Sequence, residues 1–393
     1  QSVWSNIRIF MIVINKPFTP PYEVVERKGQ GHPDTLADGI SEAISRSLCR
    51  HYLEESGQIL HHNVDKVLII AGQSAPQFGG GEILKPPSVV VGGRASRLQR
   101  KSLAEIIKEA TASHLWKTAS NLHRFRVEPR LEQGAPELAS LIGRGANDTS
   151  IGVGYAPLSQ TEQLILDLED VVRQVRGAGE DIKLMAVRRG SHLTLVVAVA
   201  MVSRFIGSRE EYEEAKLRVR EAVESKARSQ LDRMPGEVAG GAESHNLEVY
   251  VNCADDQENI YLTVTGCSLE MGDDGATGRG NRGNGLITPM RPMTMEAIAG
   301  KNPVSHVGKI YNVMAQKIAE DIAEMEGVAE AYVTLVSKIG SPISQPMLRG
   351  VQICGEMRMT AAVEARVNSI LDWHLESAND LVEQFVEGRL TLF

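Results

Sequence analysis

The sequence predicts an α+β fold in which mostly antiparallel sheets are covered by helices. Two observations predict it. Apolar strand pairs alternate with single amphipathic helices about three times along the chain, and two of those pairs are joined by short polar turns rather than by crossover helices. The chain has 393 residues, 42% apolar and 23% charged, which suits two or three domains of a soluble protein.

In chain order, Met11 to Ile14 is a short apolar run followed by a proline-rich connector, Pro17 to Pro21. Asp34 is read as the cap of a helix carrying Leu36, Ile40, Ala43, Ile44 and Leu48 on one face, with Gly57 as its stop. Val64 to Ala71 and Ser88 to Val91 read as strands around a glycine-rich loop, Gly72 to Gly81, and Leu103 to Trp116 as a helix. Ile151 to Tyr155 is apolar, and Thr161 to Val175 is a helix opening with Glu162. Ile182 to Val187 and Leu193 to Val202 flank Arg188 to His192 as a hairpin, and a second hairpin is expected from Leu247 to Cys253 and Ile260 to Val264. Between them runs a charged helix, Glu210 to Leu231, closed by Pro235 and Gly236. Asn302 and Pro303 are expected to start a helix bearing Val304, Val307, Tyr311, Met314, Ile318 and Ile322 on one face, with Lys309 solvated on it. Val328 to Val336 is a strand, and Thr360 to Val386 one closing helix.

Composition narrows the function. The formal charge of −8 gives no default nucleic-acid partner. The longest apolar run, Leu193 to Val202, is far short of the ~20 residues of a membrane span. Cys49, Cys253, Cys267 and Cys354 form no C-x-x-C pair, so neither zinc nor a disulfide framework is expected, and a reducing, cytoplasmic setting is. Gln1 to Phe10 precedes the first methionine and lacks the apolar centre of a signal peptide, so it is read as an upstream extension outside the fold.

The most informative stretch is Gly272-Asp-Asp-Gly-Ala-Thr-Gly-Arg-Gly-Asn-Arg282. Asp273 and Asp274 are hard oxygen donors of the kind Mg²⁺ prefers, and Arg279 and Arg282 carry planar forks suited to phosphate. Gly278 to Gly283 matches G-x-G-x-x-G, but Pro289 and Pro292 follow where a dinucleotide fold needs a helix, so a Rossmann reading is rejected. Gly29-Gln-Gly-His-Pro-Asp34 stands at a helix start, where free N–H groups favour phosphate. His32 is placed there to donate to a phosphate oxygen or a leaving group, and Asp34 or Asp38 to hold a metal. The plainer alternative is a cap, a solvated carboxylate and a histidine packed in the loop. Lys301 precedes a helix N-terminus, which is understandable beside an anion but is also the place of an exposed loop lysine. Asn147 and Asp148 read as turn residues, and Lys183 as the start of a strand.

These motifs together resemble the archaeal-type methionine adenosyltransferases, also called S-adenosylmethionine synthetases. The matching stretches are Glu26 to Thr35, Leu60 to Lys66, Phe78 to Glu82, Ala146 to Ser150 with Gly154 to Pro157, Gly272 to Arg282, and Ala299 to Tyr311. The resemblance implies three similar α+β domains about a pseudo-threefold axis, over residues 20–140, 141–246 and 247–393, with strands interchanging between them. It implies subunits paired through flat sheets as a homodimer or homotetramer, with active sites that draw on both chains. The implied reaction is attack of the methionine sulfur on C5′ of ATP, releasing triphosphate that is hydrolysed to phosphate and diphosphate. Mg²⁺ is the implied cofactor and K⁺ a further candidate, with Asp65 near its site. Carried over by motif, His32, Lys183, Arg279 and Lys301 are the catalytic, triphosphate-facing groups. Asp34 is the metal ligand, and Gly145, Ala146, Asn147, Asp148, Thr149, Asp273 and Arg282 contact ATP. Glu82 holds the methionine amino group. The bacterial and eukaryotic branch carries a further lysine and aspartate after Lys301; Ser305, His306 and Val307 stand there in this chain.

Overall fold

Three sheets, each backed by helices and each with its own apolar core, organise the protein in a computed structural model that describes residues 9–16, 20–134, 145–231 and 246–393. The first sheet combines β1 (Ile9–Asn15), β8 (Ile151–Ala156), β14 (Val328–Val336) and β15 (Leu348–Gly355), in the order β1-β15-β14-β8. The second runs β11-β10-β9-β2, from β2 (Glu23–Lys28), β9 (Ala178–Arg189), β10 (His192–Val202) and β11 (Asn246–Val251). The third runs β13-β3-β6-β7, from β3 (His62–Ile70), β6 (Ser88–Ala95), β7 (Arg126–Glu132) and β13 (Gly275–Ala276). β4 (Gln73–Gln77) and β5 (Gly80–Lys85) form a separate hairpin. Pairing is mostly antiparallel, as expected, but each of the three large sheets also holds parallel pairing, β1 with β15, β11 and a short later strand with β10, and β6 with β7.

Local signals start and stop the helices. Ser102 and Ser159 close capping boxes with Glu105 and Glu162, starting α2 (Leu103–Thr118) and α3 (Gln160–Arg173). Gly57 ends α1 (Pro33–Ser56) at φ 71°, a conformation that costs glycine little. In α4 (Arg209–Leu231), Tyr212, Ala215, Val219, Val223, Ala227 and Leu231 recur every three or four residues and bury one stripe against the second sheet. In β10, Leu193, Leu195, Val197 and Val199 alternate into the same core. No described helix is long and apolar enough to cross a membrane.

Several expectations need correction. β11 does not fold back on the following strand; β11 and β12 (Leu262–Thr263) each pair with β10 in parallel, because the edge of β10 offers both a longer partner than either offers the other. Ile9 and Phe10 belong to β1 and pair with Leu348 and Arg349, so the start of the chain is not all outside the fold. The glycine-rich Gly72 to Gly81 stretch contributes to the β4–β5 hairpin. The closing helix breaks at Ser377 into α6 (Ala361–Glu376) and α7 (Asp380–Glu387). α5 (Val307–Ala323) starts four residues later than expected, capped by His306; Asn302 caps only the turn before it, its Oδ1 accepting the Val304 N–H at 2.9 Å while its NH2 donates to the Leu60 carbonyl. Residues 1–8, Gly143, Arg144, Pro235 and Gly236, and Pro17 to Thr19 of the connector, lie outside the described residues.

Candidate active site

β2 runs directly into the turn before α1, and that turn lies against β9. A Cβ on Gly31 would fall 2.3 Å from the Glu180 carbonyl carbon, so glycine is what permits the approach. His32, not Asp34, is the N-cap: its Nδ1 accepts the Asp34 N–H at 3.1 Å. That bond places the ring proton of the neutral form on Nε2. Burial, then the neighbouring Lys28 and Lys183 ammonium groups, push the His32 pKa down to about 4, with Asp34 opposing them. At neutral pH the ring is therefore an uncharged N–H donor at a helix N-terminus.

The glycine loop is sewn to this turn. A Cβ on Gly275 would lie 2.2 Å from the Pro33 carbonyl oxygen, so the loop packs backbone to backbone on α1. Asp34 Oδ1 accepts the Ala276 N–H at 2.9 Å, and Asp38 Oδ1 accepts the Gly278 N–H at 2.8 Å. Asn281 bonds both the N–H and the carbonyl of Lys28. Burial raises the Asp34 pKa, but the Lys28 ammonium and the Ala276 N–H outweigh it and hold the carboxyl below its usual range. Asp38 is buried, and burial pushes it up to about 7; its Oδ2 has no partner. Arg279 is exposed, and no described hydrogen bond or ion pair engages its guanidinium. Lys183, paired with Lys28 through the β2–β9 register, reaches Glu26 at 3.3 Å. Asp273 is exposed and accepts from Ser268 Oγ at 3.2 Å, the serine that also bonds buried Asp181.

The structure thus brings together His32, Asp34, Lys183 and the loop bearing Asp273 and Arg279. Arg282 stands at the end of the same loop. Its guanidinium is turned into the loop, donating to the Gly278 and Gly280 carbonyls, and so braces the turn.

Lys301 belongs to a second cluster. Its ammonium is buried between Asp65, at 2.8 Å, and Glu296, at 2.9 Å. Glu296 also accepts from Ser150, and the Asn147 N–H donates to the Ser305 carbonyl, so the Gly145 to Thr149 loop adjoins this cluster, with the Asp148 and Thr149 side chains exposed. Nearby, Lys309 is fully buried rather than solvated, bound to both oxygens of Glu42 and stacked over Phe385 at 5.1 Å. Within one chain the two clusters are anchored at different points of α1, Asp34 at its start and the Lys301 carbonyl on Ser45, and they border one cavity lined by Asp38, Gly278 and Arg282 on one side and by Glu296 on the other. Glu82 lies exposed on β5, and no described contact joins it to either cluster.

Sequence reading missed Lys28 and Glu296. Lys28 ion-pairs with Asp34 at 2.7 Å and donates to the Arg279 carbonyl at 3.0 Å. The period-two burial of Glu23, Val25 and Arg27 puts Glu26 and Lys28 on the opposite face, beside Lys183; reading β2 as a strand would have found them.

The profile of the S-adenosylmethionine synthetase (AdoMet synthetase) family matches residues 5–389. The S-adenosylmethionine synthase of Pyrobaculum neutrophilum is 44% identical, over 98% of this chain and 100% of that protein. That of Pyrococcus furiosus is 43% identical over 99% of each, and that of Methanococcus vannielii 41% identical over 95% of this chain and 96% of its own. A match over nearly the whole chain, joined to a helix N-terminus that presents a neutral histidine near Lys28, Lys183 and Arg279, places this chain in the S-adenosylmethionine synthetase family.

Proposed function

We propose that the protein makes S-adenosylmethionine from ATP and L-methionine, with the His32–glycine-loop cradle receiving the triphosphate. The observation that carries this reading is the cradle's charge state. A neutral Nε2–H donor, an unpaired Arg279 guanidinium and a half-exposed Lys183 surround the first turn of α1. A thioether loses no proton when it attacks, so no general base is needed. What the reaction needs is alignment of sulfur with C5′ and stabilisation of the negative charge on the departing triphosphate. The cradle residues supply the second. Triphosphate is then cut to phosphate and diphosphate on the same cations.

The donor set fits Mg²⁺. Asp34 and Asp38 share a face of α1, and Asp38 Oδ2 is a buried oxygen without a partner. Mg²⁺ commonly takes one or two carboxylates, with phosphate oxygens and waters completing its shell. When bound it would neutralise charge on the phosphate chain; Asp34 is its proposed ligand. K⁺ is proposed near Asp65, the carboxylate beside Lys301.

We further propose that the site is completed across a homodimer, with the Lys301 and Gly145 to Thr149 cluster of one chain facing the cradle of the other, and Glu82 bringing the methionine amino group. Two observations support it. Glu82 lies exposed with no described contact to either cluster, and the open sheet faces expose Val187, Val196 and Tyr250 on one sheet and Leu68 and Ile70 on another. The three sheet-and-helix units are the proposed domains, with β1, β2, β8 and β13 as the interchanged strands. Incubation with ATP, Mg²⁺ and methionine, followed by mass spectrometry, tests the activity. Adenosylmethionine with phosphate and diphosphate is expected; phosphate release that ignores methionine would mark a triphosphatase instead.

A further inference from the structure

Asp34 has two oxygens, and both are engaged. Oδ1 is fixed by the Ala276 N–H, which belongs to the glycine loop. Oδ2 is taken by the Lys28 ammonium at 2.7 Å, and the side chains of that pair are only 14% and 8% exposed. The ammonium is itself held at 3.0 Å by the Arg279 carbonyl, so it sits in the seam between α1 and the loop. Its backbone is clamped by both ends of the Asn281 amide. This is a built position and not a stray surface pair.

A magnesium ion bound directly to a carboxylate oxygen lies about 2.0–2.1 Å from it. An ammonium at hydrogen-bond distance from the same oxygen would then share its lone pairs with a divalent cation a few ångströms away. Like charges that close, in a seam of reduced dielectric, repel strongly. We propose that Lys28 is a built-in stand-in for the metal: its ammonium holds Asp34 Oδ2 in the metal-free enzyme and is displaced when the divalent ion binds. The stand-in keeps Asp34 from lying buried and unpaired, and it keeps the loop closed on α1 between turnovers. It also sets a threshold for metal binding without nucleotide, because the incoming ion must break an ion pair first.

The inference rests on Asp34 being a metal ligand, so the test separates the two. Mn²⁺ is titrated into the full-length protein without nucleotide and followed by electron paramagnetic resonance, in wild type, Lys28→Met, Lys28→Arg and Asp34→Asn. Circular dichroism confirms that each variant is folded. Lys28→Met is expected to bind Mn²⁺ about tenfold more tightly than wild type. Lys28→Arg, which keeps the charge, is expected to bind as wild type does. Asp34→Asn is expected to lose the site. If Asp34→Asn loses Mn²⁺ but Lys28→Met binds it no better than wild type, the stand-in is refuted and Asp34 remains the ligand. If Asp34→Asn binds Mn²⁺ unchanged, the ligand assignment itself fails, and the stand-in with it.

Discussion

The cradle around His32 and the cluster around Lys301 use the same residue types in opposite ways. In the cradle, cations are left over: Arg279 has no described partner and Lys183 is half exposed. In the Lys301 cluster the two central cations are sealed, with only Lys66 at the rim exposed. Lys301 and Lys309 are buried and held by Asp65, Glu296 and Glu42. An unpaired surface cation does little for folding and is free to meet a ligand, whereas a buried pair cannot lose one member without leaving the other stranded. The comparison therefore separates a region arranged to receive charge from one arranged to hold shape, with Lys301 belonging by position to the second and by proposed role to both.

Substitutions sharpen that separation. Lys301→Ala carries the largest expected effect: it strands Asp65 and Glu296 and removes a proposed triphosphate cation. Turnover should fall about a thousandfold or more, far beyond any change in methionine affinity, with a drop in melting temperature alongside. Steady-state kinetics with calorimetry checks both; altered methionine affinity at unchanged turnover would remove Lys301 from the chemistry. Lys309→Met should act on stability alone, at about 3–5 kcal/mol by denaturant titration, since it leaves Glu42 charged and buried. Arg279→Ala should do the reverse, lowering turnover about 10²–10³-fold while stability stays within about 0.5 kcal/mol. If Arg279→Ala unfolds the protein and Lys309→Met does not, the contrast is wrong.

The two regions also differ in their response to pH. Burial pushes His62 and His306, both beside the sealed cluster, down to about 3. The unfolded chain takes up those protons near pH 6.5, so their effect is to lower stability as pH falls below about 6.5. Asp38, in the cradle, is pushed up to about 7 by burial. The unfolded carboxyl ionises near pH 4, so its contribution is lost as pH rises from about 4 to 7. Asp38→Asn should therefore stabilise the protein by roughly 1–3 kcal/mol at pH 8 and by little at pH 4, read from melting curves at both.

How much was legible follows the same division. Local signals were readable because they act over a few residues: the stop at Gly57, the helix opening near Glu162 and the charged helix ending at Leu231 all fold as read. So was the cradle's inventory, since His32, Asp34 and Arg279 stand in short, unusual motifs. What failed depends on distant partners. Lys309 reads as a solvated helix lysine until Glu42, 267 residues away, is brought against it. Asn302 reads as the helix cap but closes only a turn at Val304, its NH2 tied to Leu60, 242 residues away. β11 and β12 read as a hairpin because pattern alone cannot reveal that both find the edge of β10.

The central claim is that one site is built from the cradle of one chain and the Lys301 cluster of another, and subunit complementation tests it most directly. Arg279→Ala and Lys301→Gln chains are each expected to be nearly inactive alone. Co-expressed, they form mixed dimers in which one site carries both lesions and the other carries neither, so random pairing should restore about a quarter of wild-type turnover. Turnover no higher in the mixture than in either variant alone would contradict the claim.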